Sequence, residues 1–169
     1  MQTIRLATQK DAAAMPDIER SSGEAFRIIP NLAWIADDKV TSQERHAALI
    51  RLGAAWVSHD ASNEITAFLT AEVREDVLHI WQMSVQSDQQ RKGIGRNLIR
   101  AAENWARANQ LVAMSLTTFR DVPWNAPFYA SCGFQEVDPH FYSVLQSTLE
   151  AEQQAGLPIE QRIAMIQLL

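Results

Sequence analysis

The most constraining feature of this chain is a pair of glycines between a strand pattern and a helix pattern. An apolar run at 77–85 precedes the segment Gln-Arg-Lys-Gly-Ile-Gly-Arg at 90–96, and a helix-like run follows at 97–108. Glycine lets the backbone turn tightly and approach a ligand closely. The first amides of a helix lack intrahelical partners, and the helix dipole adds about half a positive charge there. The junction therefore predicts an anion site suited to a pyrophosphate.

Three glycine motifs that bind pyrophosphate compete for this segment. A Walker loop ends in Gly-Lys-Ser/Thr, but here Lys92 precedes Gly93 and no Ser or Thr follows, which also argues against a nucleotide-binding ATPase. A dinucleotide fingerprint needs a third glycine where Leu98 stands, and an early βαβ unit that the sequence lacks. The pattern Gln/Arg-x-x-Gly-x-Gly/Ala fits in full, with Gln90, Gly93 and Gly95.

A second motif follows the next strand pattern. Residues 124–134 read Trp-Asn-Ala-Pro-Phe-Tyr-Ala-Ser-Cys-Gly-Phe, a short helix pattern that carries Tyr129 and runs into a Gly-Phe pair. The two motifs together resemble the acetyl-CoA loop and the later Tyr helix of the GNAT superfamily of N-acetyltransferases. The order of strand, glycine loop, helix, strand, Tyr helix and Gly-Phe strand is reproduced over residues 77–137.

The resemblance implies the GNAT fold. That fold is an α/β (α+β) domain whose mixed, mostly antiparallel central sheet is flanked by helices and splays at the strand ending near Val85. We expect residues 1–169 to form one domain, because this length suits a single core. The helix pattern within 137–158 stands where many family members have only a loop, so we expect a helical insertion before the last strand. This helix would either cover part of the domain surface or form a contact in a homodimer.

The resemblance also implies how acetyl-CoA, the acyl-donor cosubstrate, is held. Backbone amides of the glycine loop bind the pyrophosphate, neighbouring basic side chains add charge, and the end of the preceding strand pairs with the pantetheine arm. The implied cofactor-binding residues are Ser84, Val85, Gln90, Arg91, Lys92, Gly93, Ile94, Gly95, Arg96 and Asn125. Capping the Tyr helix is the alternative role of Asn125.

Acyl transfer to an amine needs a base for the ammonium and an acid for the leaving thiolate. The resemblance assigns the acid to Tyr129. His79 falls where histone-type members of the family carry a general-base glutamate, so it is our leading candidate for the base. Its alternative is a satisfied histidine of the core or of the surface, and Glu72 on the adjoining strand pattern or a water molecule would then act as the base.

The acceptor site is the least readable part of the sequence. The candidates to line it are the aromatic residues Phe26, Trp34, Trp81 and Phe119, for which core packing is the alternative. We expect direct transfer to a primary amine of a small molecule or peptide, because no nucleophile stands out for a covalent intermediate. A non-catalytic acyl-CoA-binding sensor on the same fold is the alternative. The acceptor, the acyl-chain length and the oligomeric state stay open.

Composition argues against several other classes. A single cysteine, Cys132, excludes an internal disulfide and offers no metal cluster, so we expect no metal cofactor. The formal charge of −5, without a basic run longer than two residues, argues against a nucleic-acid partner. The sequence lacks the run of about 18 apolar residues that spans a membrane, and its start lacks a secretory pattern. We therefore expect a cytoplasmic protein with no membrane partner.

Overall fold

A computed structural model describes residues 2–169, which form seven β-strands and five α-helices joined by short 3₁₀ turns. The strands are β1 (Thr3–Leu6), β2 (Ala55–His59), β3 (Ile65–Arg74), β4 (Val77–Val85), β5 (Ala113–Phe119), β6 (Gln135–Val137) and β7 (Arg162–Leu168). The helices are α1 (Met15–Gly23), α2 (Gln43–Arg51), α3 (Ile94–Ala108), α4 (Ala126–Ser131) and α5 (Ser143–Gln154).

The strands form one mixed sheet in the order β1-β2-β3-β4-β5-β7-β6. The pairs β1–β2, β2–β3, β5–β7 and β6–β7 are antiparallel, whereas β4 and β5 are parallel. The parallel pairing runs from Val77↔Ala113 to His79↔Ser115, although β4 continues to Val85. The fold class expected from the sequence, a mostly antiparallel mixed sheet flanked by helices, is confirmed.

Two compact units divide the chain. Unit 1 contains the residues through Glu72 together with Gln82–Ala102, and unit 2 contains Val73–Trp81 and Glu103–Leu169. Strands β3 and β4 and helix α3 each contribute residues to both units. The organisation of residues 1–169 as a single domain stays a prediction.

Unit 1 packs the first two helices against the antiparallel strands. Its core consists of small and aliphatic side chains around one phenylalanine: Ala12, Met15, Ile18, Ile50, Ala55, Val57 and Phe68. The sequence pattern predicts one helix over 11–20 with Pro16 near its middle. Instead, a 3₁₀ turn at 9–13 precedes α1, and Pro16 lies in the first turn of α1. Proline is tolerated there because the first amides of a helix need no intrahelical acceptor.

Unit 2 packs α5 against β5 and β7. The core between them consists of Ala113, Leu145, Leu149, Ala164 and Ile166. The carboxylate of Glu152, near the end of α5, accepts hydrogen bonds from Thr117 Oγ1 at 2.5 Å and from Arg162 Nη2 at 2.8 Å. The helix predicted between the last two strands is therefore present and tied to the sheet, and its status as an insertion stays a prediction.

Candidate active site

The glycine loop joins β4 to α3 in unit 1. Two of its residues, Arg91 with φ 60° and Gly93 with φ 84°, have left-handed backbones, a region in which glycine is unstrained and most side chains are not. A Cβ added to Gly93 would meet no atom within 4 Å. The backbone conformation, and not lack of space, therefore favours glycine at this position.

Gly93 also fixes the start of α3. Its carbonyl accepts the first intrahelical hydrogen bond, from the Asn97 amide at 3.1 Å. Three amides precede that bond along the chain, those of Ile94, Gly95 and Arg96. Amides in this first turn of a helix are the ones that bind anions. The Ile94 side chain is buried and holds this first turn against the core.

Three basic side chains surround this helix start and are exposed, namely Arg91, Lys92 and Arg96. The Lys92 ammonium donates a hydrogen bond to Gln89 Oε1 at 3.1 Å. These side chains give the loop a positive surface in a chain whose formal charge is −5, so the local field favours an anionic ligand.

Gln90, the first residue of the motif, bonds within the protein. Its side-chain Nε2 donates to the carbonyl of Val85 at 3.1 Å, which ties the loop to the end of β4. The side chain of Ser84 is buried, with its hydroxyl 3.4 Å from Gln82 Nε2. Ser84 and Val85, the residues predicted to hold the pantetheine arm, thus lie at the end of β4 next to the glycine loop.

Tyr129 lies in the short helix α4 of unit 2. Its ring meets Phe128 and Phe134 edge-on, with centroids 5.2 and 5.8 Å away. The half-buried side chain has a hydroxyl with no hydrogen-bond partner among residues 2–169. Burial raises the pKa of Tyr129 to about 12. The phenol is therefore protonated at working pH, with its proton available to a ligand.

Asn125 occupies the N-cap position of α4, but its side chain does not cap the helix. Its Oδ1 accepts a hydrogen bond from Thr118 Oγ1 at 2.9 Å, and the Tyr129 amide bonds to the Asn125 backbone carbonyl at 3.0 Å. The side chain therefore ties the helix that carries Tyr129 to the end of β5.

His79 on β4 is only 1% exposed. Its Nδ1 lies 2.9 Å from Ser115 Oγ, and its ring meets Trp81 edge-on at 4.5 Å. Burial, with a smaller contribution from the Arg74 charge, lowers the pKa of His79 to about 4. In this structure His79 is thus a buried histidine with one hydrogen-bonded ring nitrogen, and its role as the base stays a prediction.

The sequence comparison decides the family. A family model described as the acetyltransferase (GNAT) family matches residues 20–134, which include the glycine loop and the Tyr helix.

The chain belongs to the GNAT acetyltransferase family.

Solved GNAT-like structures agree with this assignment at the level of the fold. A PaiA N-acetyltransferase from Thermoplasma acidophilum, solved in complex with coenzyme A, has a TM-score of 0.73 at 15% identity and covers 100% of this chain and 99% of its own. The ribosomal-protein-S18-alanine N-acetyltransferase from Escherichia coli has a TM-score of 0.71 at 17% identity, covering 99% and 94%. Ard1 from Thermoplasma volcanium has a TM-score of 0.71 at 18% identity, covering 99% and 97%.

The four aromatic residues predicted to line the acceptor site of this GNAT protein differ in exposure. Trp34 is 41% exposed, and Phe26 is half-buried, both in unit 1. In unit 2, Phe119 is 4% exposed and lies beneath the Arg162 guanidinium, whose Cζ is 4.6 Å from the ring centroid. Phe119 is therefore the least exposed of the four, and its place in the acceptor site stays a prediction.

Trp81 borders a groove of about 380 Å³ that lies along α5 within unit 2. The other residues that line it are Arg74, Ser147, Thr148, Ala151, Glu152, Ala155 and Leu157. Trp81 is therefore at a surface that a ligand can reach, in contrast to its neighbour His79.

One polar cluster of unit 1 was missed by the sequence reasoning. The cluster contains four side chains that lie together: Glu19 on α1, Thr41 before α2, His46 on α2 and Gln82 on β4. Thr41 is 22 residues from Glu19 and 41 from Gln82 along the chain, so no local motif joins them. Only the tertiary fold reveals the cluster.

Within residues 2–169, no group of three or more His, Cys, Asp or Glu side chains is placed to hold a metal ion. None of the helices in that range combines the length and the apolar character of a membrane span.

Proposed function

We propose that this protein transfers the acetyl group of acetyl-CoA to a primary amine of a small molecule or peptide within one ternary complex. Membership of the acetyltransferase family supports acetyl transfer in general. The observation that carries the proposal is the glycine loop, whose left-handed Gly93 starts α3 with basic side chains around the first turn. We further propose that the chain acts in the cytoplasm as one domain with 137–158 as an insertion.

Binding of the donor involves the loop and the end of β4. The amides of Ile94, Gly95 and Arg96 receive the pyrophosphate oxygens, while Arg91 and Lys92 add charge from the exposed side. A helix N-terminus supplies fixed dipoles, so little reorganisation is needed when the anion binds. The backbone at 84–85 pairs with the pantetheine arm, and an amide near Val85 polarises the thioester carbonyl.

In the chemical step, the neutral amine attacks the thioester carbonyl, the new C–N bond forms and the C–S bond breaks. The nitrogen then loses its extra proton to solvent, and a proton from solvent restores Tyr129 after it has protonated the thiolate. Tyr129 donates a hydrogen bond to the departing thiolate and supplies the proton that makes the free thiol. A phenol with a pKa of about 12 transfers its proton to a thiolate of pKa about 8.5 at a cost of about 5 kcal/mol. Donation of a strong hydrogen bond to the thiolate is therefore the larger part of its role.

Deprotonation of the ammonium is proposed to proceed through water. An alkyl ammonium has a pKa of about 10.4, so its neutralisation at pH 7 costs about 4.6 kcal/mol. Transfer to an imidazole with a pKa of about 4 would cost about 9 kcal/mol. An imidazole with this pKa is almost wholly neutral at pH 7 and would hold the proton only briefly, so we propose that water carries it to the solvent. Glu72 is the other side-chain candidate from the sequence.

Thiol release from acetyl-CoA in the presence of a panel of amines tests the function. We expect amine-dependent release, and we expect Tyr129→Phe to lower kcat by about 100-fold or more while leaving acetyl-CoA affinity unchanged. Tyr142→Phe is the matched control, because Tyr142 is exposed at the start of α5. Saturable acetyl-CoA binding without turnover of any amine would contradict the enzyme and favour the acyl-CoA sensor.

A further inference from the structure

The Glu19 carboxylate in unit 1 accepts a hydrogen bond on one side and is accessible to solvent on the other. Glu19 Oε2 accepts a hydrogen bond from the Thr41 amide at 2.9 Å and lies 3.6 Å from His46 Nε2. Glu19 Oε1 lies 3.4 Å from Thr41 Oγ1, which in turn is 3.1 Å from Gln82 Oε1. We call Glu19, Thr41, His46 and Gln82 the Glu19 cluster.

The Glu19 cluster contains more hydrogen-bond acceptors than donors. The Thr41 hydroxyl has one hydrogen, so it serves either the Glu19 carboxylate or the Gln82 amide oxygen, but not both. Three oxygen atoms, Glu19 Oε1, Thr41 Oγ1 and Gln82 Oε1, therefore lie together with one hydrogen among them. An external donor with several N–H groups would satisfy the arrangement.

His46 adds a second, independent sign of an incomplete site. It is 0% exposed, and neither ring nitrogen has a hydrogen-bond partner among the described residues. Its Nε2 faces the Glu19 carboxylate at 3.6 Å, just beyond hydrogen-bonding distance, and its ring packs edge-on against Phe68. Unpaired buried polar groups are costly, so His46 is a second group at this place that lacks the partner it needs.

The Glu19 cluster lies at the C-terminal end of β4, next to the glycine loop. Gln82 belongs to β4, and its Nε2 lies 3.4 Å from Ser84 Oγ. The C-terminal half of α1 is also attached there, because the Ser87 amide donates to Ser21 Oγ at 3.0 Å. The Glu19 side chain is 21% exposed, so solvent reaches the carboxylate.

We propose that the Glu19 cluster binds the ammonium group of the acceptor amine. A primary ammonium has three N–H donors and one positive charge, which matches one carboxylate and two neutral oxygens. This inference rests on the proposed function, which places the thioester near Ser84 and Val85. Glu19 is then a substrate-contacting residue, and the favoured acceptors are cationic primary amines in preference to amines that are uncharged at neutral pH.

The Glu19→Gln variant tests this proposal. Glutamine keeps the shape and still accepts a hydrogen bond from the Thr41 amide, but it lacks the charge. We expect the KM for the amine to rise by about 10-fold or more, with the KM for acetyl-CoA unchanged and kcat changed less. Glu44→Gln, an exposed carboxylate in the first turn of α2, is the matched control and should change neither constant. An unchanged amine KM in Glu19→Gln would overturn the proposal.

A direct binding measurement separates failure of this inference from failure of the proposed function. Butylamine and lysine amide are titrated into the coenzyme A complex while the Thr41 backbone amide and the Gln82 side-chain amide are followed by NMR. We expect saturable shifts with both amines, and none with butanol or the trimethylammonium analogue of butylamine. Shifts without turnover would retain the cluster and reject the enzyme. Turnover of amines without shifts at Thr41 and Gln82 would reject the cluster and retain the enzyme.

Discussion

His79 and Ser115 lie on the adjacent parallel strands β4 and β5, with the imidazole Nδ1 2.9 Å from the serine hydroxyl oxygen. Ser115 is buried as well, so this pair satisfies one polar atom of the imidazole inside unit 2. Burial and the nearby Arg74 charge keep the ring neutral by lowering its pKa to about 4. Two measurable consequences follow, one for stability and one for catalysis.

The stability of the fold should depend on pH through His79. Its pKa is about 4 when folded and about 6.5 when unfolded, so protons bind the unfolded chain more readily between these values. The stabilising effect is present above pH 6.5 and is lost as the pH falls toward 4. We predict a loss of about 2 kcal/mol between pH 7.5 and pH 5 that is absent in His79→Gln. Urea unfolding of both proteins would show it, and parallel pH profiles would contradict it.

Catalysis should depend little on His79. Because the neutral, buried imidazole is a poor proton acceptor, we predict that His79→Gln retains kcat within about 3-fold and leaves the acid limb of the pH–rate profile unchanged. Steady-state kinetics at several pH values would measure this. A flattened acid limb in the variant would restore His79 as the general base.

Gly93 should be required by its backbone conformation. A β-branched side chain in the left-handed region costs about 1–2 kcal/mol or more, although the space around the position is open. We predict that Gly93→Val weakens acetyl-CoA binding by about 10-fold or more. Gly93→Asn should weaken it less, because asparagine tolerates this region. Equal affinities for the two variants in a binding titration would remove the conformational explanation.

The strands and the helix after the loop were predictable because their patterns are local. The alternating runs at 77–85 and 162–168 match β4 and β7 in both bounds. The Glu19 cluster was not predictable, since its members are polar residues far apart in the sequence that meet only in the folded protein. The burial of His79 and Phe119 likewise depends on what covers each strand face. Alternation reveals that residues share a face but not whether that face is open.

Acid should remove a stabilising contact in unit 1. The Arg5 guanidinium and the Thr8 amide bond to the Asp11 carboxylate, at 2.7 and 2.6 Å, and lower its pKa to about 2. Because the unfolded pKa is higher, this contribution is present above about pH 4 and is lost as the pH falls toward 2. We predict that Asp11→Asn destabilises the protein by about 1–2 kcal/mol at pH 7. The difference from wild type should shrink near pH 3 in thermal melts, and a pH-independent difference would contradict the assignment.

The attachment of α5 should depend on one ion pair. Glu152 and Arg162 have side chains that are only 18% and 10% exposed and meet at 2.8 Å. Glu152→Gln leaves the guanidinium without its counter-charge, so we predict a loss of about 2–3 kcal/mol of stability. Glu103→Gln is the control, because Glu103 pairs with the more exposed Arg107 and its loss should cost about 0.5 kcal/mol or less. Equal effects in urea unfolding would show that the Glu152 pair contributes no more than a surface pair.

The most direct test of the central claim is a calorimetric titration of the folded protein with acetyl-CoA and with acetyl-pantetheine, which lacks the pyrophosphate. If the amides of Ile94, Gly95 and Arg96 hold the pyrophosphate, acetyl-CoA binds saturably, and acetyl-pantetheine binds at least about 100-fold more weakly. Absence of saturable heat with acetyl-CoA, or equal affinity for the two thioesters, would contradict the claim.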